Sequence, residues 1–210
     1  MSWASNFGVL FYVGTRACLF LVSICLVPLV QASTFKVTTA ADSGHGSLRQ
    51  AILDSNERGG GSIVFSNVTS PIRLLSALPT IETALSITGP GTNLLTVSGG
   101  SLFRIFSVAA GSTSTVSGLT IADGMITNNS YESGDYPGGA GVSNAGSLKL
   151  LSCIISNCVN NKSFGDGGGI YNAGDLYMEA CLVADCHVDP LYGLAIQEDS
   201  QITGESSIRR

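Results

Sequence analysis

The sequence predicts an all-β fold: a right-handed parallel β-helix of about five to six coils with a capping helix at its N-terminal end. Three observations lead there. GVSNAGSLKLLSCIISNC (residues 141–158) aligns without gaps on GIYNAGDLYMEACLVADC (residues 169–186). Apolar residues alternate over short spans, as at Leu148 and Leu150 or Leu176 and Met178, which is a strand period and not a helical one. The chain of 210 residues holds 26 glycines, 7% aromatic and only 12% charged residues, a balance that favours tight turns and stacked strands. With 44% apolar residues the chain is not intrinsically disordered. A net charge of −5 argues against a nucleic-acid partner, which would call for a basic patch.

Residues 1–32 read as a secretory signal peptide. Arg16 precedes the apolar run ACLFLVSICLVPLV (residues 17–30), and Val30-Gln31-Ala32 resembles a small-residue cleavage site. As a helix the run spans about 21 Å, short of the roughly 30 Å hydrocarbon core. The chain is therefore expected to be secreted or at the cell surface, with a membrane involved only through this segment. Its removal takes away one cation and two cysteines, Cys18 and Cys25, and leaves a net charge of −6.

Residues 33–62 form the expected N-terminal cap, a strand near Phe35–Thr38 followed by a helix over 47–57. Ser47 suits the N-cap, Gln50 stands three residues on as in a capping box, and Leu48, Ala51, Ile52 and Ser55 share one face. A solenoid exposes an apolar end coil that such a helix covers. Residues 63–188 are expected to be the coils, with strands at 63–65, 72–75, 103–108 and 115–121. Residues 189–210 are a C-terminal tail.

The repeat offset sets specific residues one above another. Asn144 falls on Asn172, the start of a side-chain amide ladder, and Gly146 falls on Gly174, where a turn with φ > 0 is expected. Cys153 falls on Cys181 and Cys158 on Cys186. Stacked Cα atoms about 4.8 Å apart lie inside the disulfide range. Inter-coil bridges, bridges within a coil, and buried thiols all remain open from the sequence. A weaker copy, GSTSTVSGLTIADG (residues 111–124), aligns Gly111 with Gly146 and Gly118 with Cys153.

FKVTTAADSGHGSLRQAI (residues 35–52), SIVFS, LPTIETALSITGPG, RIFSVAAGSTSTVSGLTIADG and GGGIYNAG together resemble a bacterial family of secreted right-handed β-helix proteins with an N-terminal Cys-Ser-Leu-Arg-Glu-Ala motif. The Gly-Gly repeats are also similar to those of polymorphic outer-membrane proteins, which are surface adhesins. The resemblance covers about residues 35–186 and implies a fold more specifically than an activity. Gly46 and Gln50 stand where the motif has Cys and Glu.

Chemistry is sparsely signalled. Parallel β-helices also serve as polysaccharide lyases and hydrolases, which need stacked acids for Ca²⁺ or two converging carboxylates. In the repeat register no acid stacks on another acid; Asp175 falls on Ser147 and Asp185 on Asn157. Asp123, Asp135 and Asp166, with Arg104, are the groups that a loop over residues 127–137 would bring together. His45 and His187 lack metal-ligand spacing, so neither a metal nor a cofactor is expected. The leading expectation is a secreted or surface β-helix with a structural or adhesive role, its partner a polysaccharide or another cell surface. The alternatives are a carbohydrate-active enzyme and a truncated passenger of a larger surface protein.

Overall fold

Strands in this protein are short because apolar residues alternate for only three to five positions before the chain meets a corner. The computed structural model describes residues 33–127, 138–161 and 167–188, and the backbone of residues 206–208. In chain order the elements are β1 (Thr34–Val37), α1 (Leu48–Glu57), β2 (Gly61–Phe65), β3 (Ile72–Arg73), β4 (Leu85–Thr88), β5 (Thr96–Ser98) and β6 (Phe106–Val108). They continue with β7 (Thr113–Ser117), β8 (Thr120–Ala122), β9 (Met125–Thr127), β10 (Val142–Asn144), β11 (Ser147–Leu151), β12 (Ile154–Ser156) and β13 (Val159–Asn161). The last are β14 (Ile170–Asn172), β15 (Asp175–Glu179), β16 (Leu182–Ala184), β17 (His187–Val188) and β18 (Ser206–Ile208).

Neighbouring strands come from successive passes of the chain. The long sheet runs β1-β2-β4-β7-β11-β15-β18, a second runs β16-β12-β8-β5-β3, and two three-stranded sheets run β14-β10-β6 and β17-β13-β9. Pairing is parallel throughout, except that β18 lies antiparallel on β15. The architecture of the described residues is thus parallel sheets stacked pass upon pass with one short helix, compatible with a parallel β-solenoid.

Stacking in register turns the sequence period into columns. Phe35, Ile63, Ile87, Val116, Leu150 and Met178 are successive partners along the long sheet. All six are buried. Ile72, Val97, Ile121 and Ile155 form a second buried column in the five-stranded sheet. Each such side chain contributes roughly 1.5–3 kcal/mol when removed from water, so the columns hold one pass to the next.

Left-handed residues make the corners. Gly118 (φ +61°) follows β7, Ser152 (φ +50°) follows β11 and Ala180 (φ +52°) follows β15. At the next corner of the same passes, Asp123, Asn157 and Asp185 (φ +55°, +52° and +55°) follow β8, β12 and β16. Asp and Asn tolerate this region because their side chains bond locally; alanine does not, at about 1–2 kcal/mol. Ala180 is exposed and packs little. Ala180→Gly is therefore expected to stabilise the protein by about 0.5–1 kcal/mol, after the entropy that glycine gives up. A urea titration reads this as a higher midpoint at constant slope.

Four sequence expectations need correction. The strand expected over 115–121 is two strands, because Gly118 turns the chain between them. The upstream copy is displaced by one residue from its alignment: Leu150 pairs with Val116 and Ile154 with Thr120, which sets Cys153 beside Leu119 and not Gly118. The displacement arises in a turn. Ala109–Ser112 joins β6 to β7, whereas only Ala145-Gly146 joins β10 to β11. Gly146 and Gly174 are not at positive φ. They are glycine because a Cβ at Gly174 would strike the carbonyl of Gly146 in the pass before it, and one at Gly146 would strike those of Ala109 and Ser112. The capping box is half-formed: Ser47 accepts from the Gln50 N–H, but the Gln50 amide reaches forward to Asp54 at 2.7 Å.

Helix α1 buries Leu48, Ala51, Ile52 and Ser55 and packs on β1 and β2. Arg58, just past its end, stands 5.6 Å over the Phe35 ring, a cation–π contact. Arg49 fixes the helix to the loop after β3. Its guanidinium donates to Asp42 Oδ1 at 2.7 Å and to the carbonyls of Ser76 and Ala77.

Candidate functional site

The residues singled out for chemistry do not assemble into a reactive centre among the described residues. Asp123 sits at a corner and accepts a hydrogen bond from Ser98 Oγ at 2.8 Å. Arg104 donates to the carbonyls of Gly138 and Gly139, both at 3.0 Å; it holds the backbone leading into β10. Asp135 and Asp166 lie outside the described residues, as do the expected signal segment, 1–32, and residues 189–205 and 209–210 of the tail. Among the described residues no three His, Cys, Asp or Glu side chains stand close enough to share a metal ion.

The asparagine pair is structural in what it touches. Asn144 is fully buried. Its Nδ2 donates to Asn172 Oδ1 at 2.6 Å and to the Asp175 carbonyl at 2.9 Å, and its Oδ1 accepts from the Gly146 N–H at 3.1 Å. Asn172 Nδ2 donates to the Gly174 carbonyl at 2.8 Å. One side chain thus closes its own two-residue turn and the one stacked on it.

The four cysteines among the described residues stand as thiols in two stacked pairs. Cys181 Sγ accepts from the Cys153 N–H at 3.4 Å and donates to the Leu150 carbonyl at 3.3 Å. The side-chain hydrogen bond between the two thiols pushes Cys153 up, as does burial, while the same bond draws Cys181 down to about 6 against its own burial. Cys158 and Cys186 repeat the pattern: the contact pushes Cys158 up and draws Cys186 down.

What the sequence reading passed over is the outward face of the long sheet. Next to the buried positions of each strand lie Thr34, Ser62, Ser86, Thr115, Lys149 and Tyr177, which are successive partners across β1, β2, β4, β7, β11 and β15. All six are exposed or half-buried. Thr34 Oγ1 and Ser62 Oγ are hydrogen-bonded at 3.2 Å. Thr88 and Ser117 form a second partial row beside Ser86 and Thr115. Hydroxyls therefore repeat about every 4.8 Å across the strands and roughly 6.6 Å along them. Beside this face a shallow groove crosses three passes, lined by Gly111–Thr113, Ala145–Ser147 and Ala173–Asp175. The signal for the face was present as the small polar residue between each apolar pair. Its meaning depends on the register, which fixes which of those residues meet.

Compared with known protein families, curated proteins and solved structures, the chain matches none of them.

Proposed function

We propose that this chain is an exported right-handed parallel β-helix that acts as a structural or adhesive module, and that the outward face of its long sheet engages a surface polysaccharide. The row of small hydroxyl side chains at Thr34, Ser62, Ser86 and Thr115 carries the reading. Such a row is flat, uncharged and regularly spaced, and a sugar polymer presents hydroxyls at a comparable repeat. The right-handed winding is supported by the parallel pairing, since crossovers between parallel strands of one sheet are right-handed in about 98% of cases. Export is supported by the apolar segment at residues 17–30 behind Arg16.

The test is retention of the purified full chain on fixed cells and on immobilised surface polysaccharides. Placing one carboxylate on the face, as Ser86→Glu, is expected to weaken binding at least tenfold with a melting temperature close to that of the unaltered chain. Binding that survives the change would move the contact off this face. Release of shortened polymer by the unaltered chain would replace adhesion with catalysis.

A further inference from the structure

We propose that Cys153–Cys181 and Cys158–Cys186 are two disulfide sites, a pair of parallel staples joining the last two described passes of the chain. Both pairs sit in the same register as the strands around them. Leu182 N–H donates to the Cys153 carbonyl and His187 N–H to the Cys158 carbonyl, both at 3.0 Å. Each cysteine therefore lies directly over its partner, at the parallel-strand separation of about 4.8 Å. That separation falls within the roughly 4.4–6.8 Å between Cα atoms that a disulfide spans.

The geometry selects this pairing over the others. Cys153 and Cys158 flank the extended strand β12, and Cys181 and Cys186 flank β16. At about 3.3 Å per residue, a three-residue strand with its flanks carries such a pair roughly 10 Å or more apart, outside disulfide reach. Diagonal pairs are longer still. Cys181 Sγ accepts from the Cys153 N–H at 3.4 Å, and Cys153 Sγ donates to the Val116 carbonyl at 3.5 Å.

The oxidant is a small-molecule or protein disulfide. The Cys181 thiolate attacks one sulfur of that disulfide and expels the other as a thiolate, leaving a mixed disulfide on Cys181. Cys153 then gives up its proton and attacks the Cys181 sulfur, expelling the second thiolate. Two cysteine thiols lose two electrons and two protons, and the oxidant becomes two thiols. The second pair follows the same course from Cys186, which is half-buried and thus the more accessible of its two thiols. The lowered Cys181 and Cys186 are the attacking members in both cases.

The chemistry is read on the purified full chain, so it stands or falls separately from the adhesive role. The protein is incubated with glutathione disulfide, unfolded, alkylated and digested without reductant. Peptide mapping is expected to find Cys153 joined to Cys181 and Cys158 joined to Cys186. Bonds within a pass, or four alkylated thiols, would overturn the proposal. Brief alkylation of the folded, reduced chain near pH 7 gives a second reading: Cys181 and Cys186 are expected to label faster than Cys153 and Cys158, and the reverse order would overturn the assigned attack.

Discussion

Asn144→Leu is expected to destabilise the protein by about 3 kcal/mol, read as a lowered midpoint in urea unfolding. The buried side chain bonds the Gly146 N–H, the Asp175 carbonyl and Asn172 Oδ1. Leucine fits the space but leaves the Gly146 N–H and the Asp175 carbonyl without this partner, and each orphaned buried group costs about 1–3 kcal/mol. The apolar gain offsets part of that. The same column contains the control. Val108 occupies the equivalent position one pass earlier, and there the longer turn bonds to itself, with Ser112 N–H and Oγ both donating to the Ala109 carbonyl at 3.2 and 3.0 Å. An apolar residue is tolerated where the turn is self-sufficient. A fully stable Asn144→Leu variant would mean that the two-residue turn needs no such partner.

Arg49→Leu is expected to cost about 2–4 kcal/mol, because it removes one member of a mostly buried ion pair together with its links to two carbonyls. The side chains of Arg49 and Asp42 are 15% and 9% exposed. Burial pushes the Asp42 carboxyl up, but the Arg49 hydrogen bond, the Leu75 N–H and the Arg49 charge together hold it below the ordinary value of 3.8. A carboxyl depressed in the folded state stabilises the protein above its unfolded pKa, and the contribution fades as pH falls through the folded one. In the unaltered protein this part of the stability is thus present at neutral pH and lost in acid below 3.8. A titration of unfolding free energy against pH should show that acid limb, and Arg49→Leu should flatten it. An unchanged acid limb in the variant would remove Asp42 as its origin.

Much of the stacking was legible because it is written twice. Asn144 and Asn172, Gly146 and Gly174, and the cysteines share one offset, and the paired strands hold that offset from β10–β14 through β13–β17. The α1 boundaries were legible for a local reason: Ser47 competes for the first free N–H groups whatever surrounds it. Turn lengths were harder. Ala109–Ser112 and Ala145-Gly146 do the same job with different residue counts, and a gapless alignment across them is displaced by one residue, enough to exchange inward for outward positions. The Asp42–Arg49 tie was hidden because neither residue belongs to a period. The hydroxyl face was hidden because outward residues are free to vary pass by pass, as the change from Thr115 to Lys149 to Tyr177 shows.

The in-register pairing of β11 on β15 and β12 on β16 also fixes how the protein responds to load. Backbone hydrogen bonds between passes all run along one direction. A tension applied along that direction opens them together at a single interface, whereas tension along the strands must shear several sheets at once. Released one at a time, each pass of the kind that separates Asn144 from Asn172 lets out a 28-residue length, about 95 Å of extended chain. Two covalent ties at the corners of β12 and β16 would shield the last such interface, so that force is borne first by the passes nearer the helix.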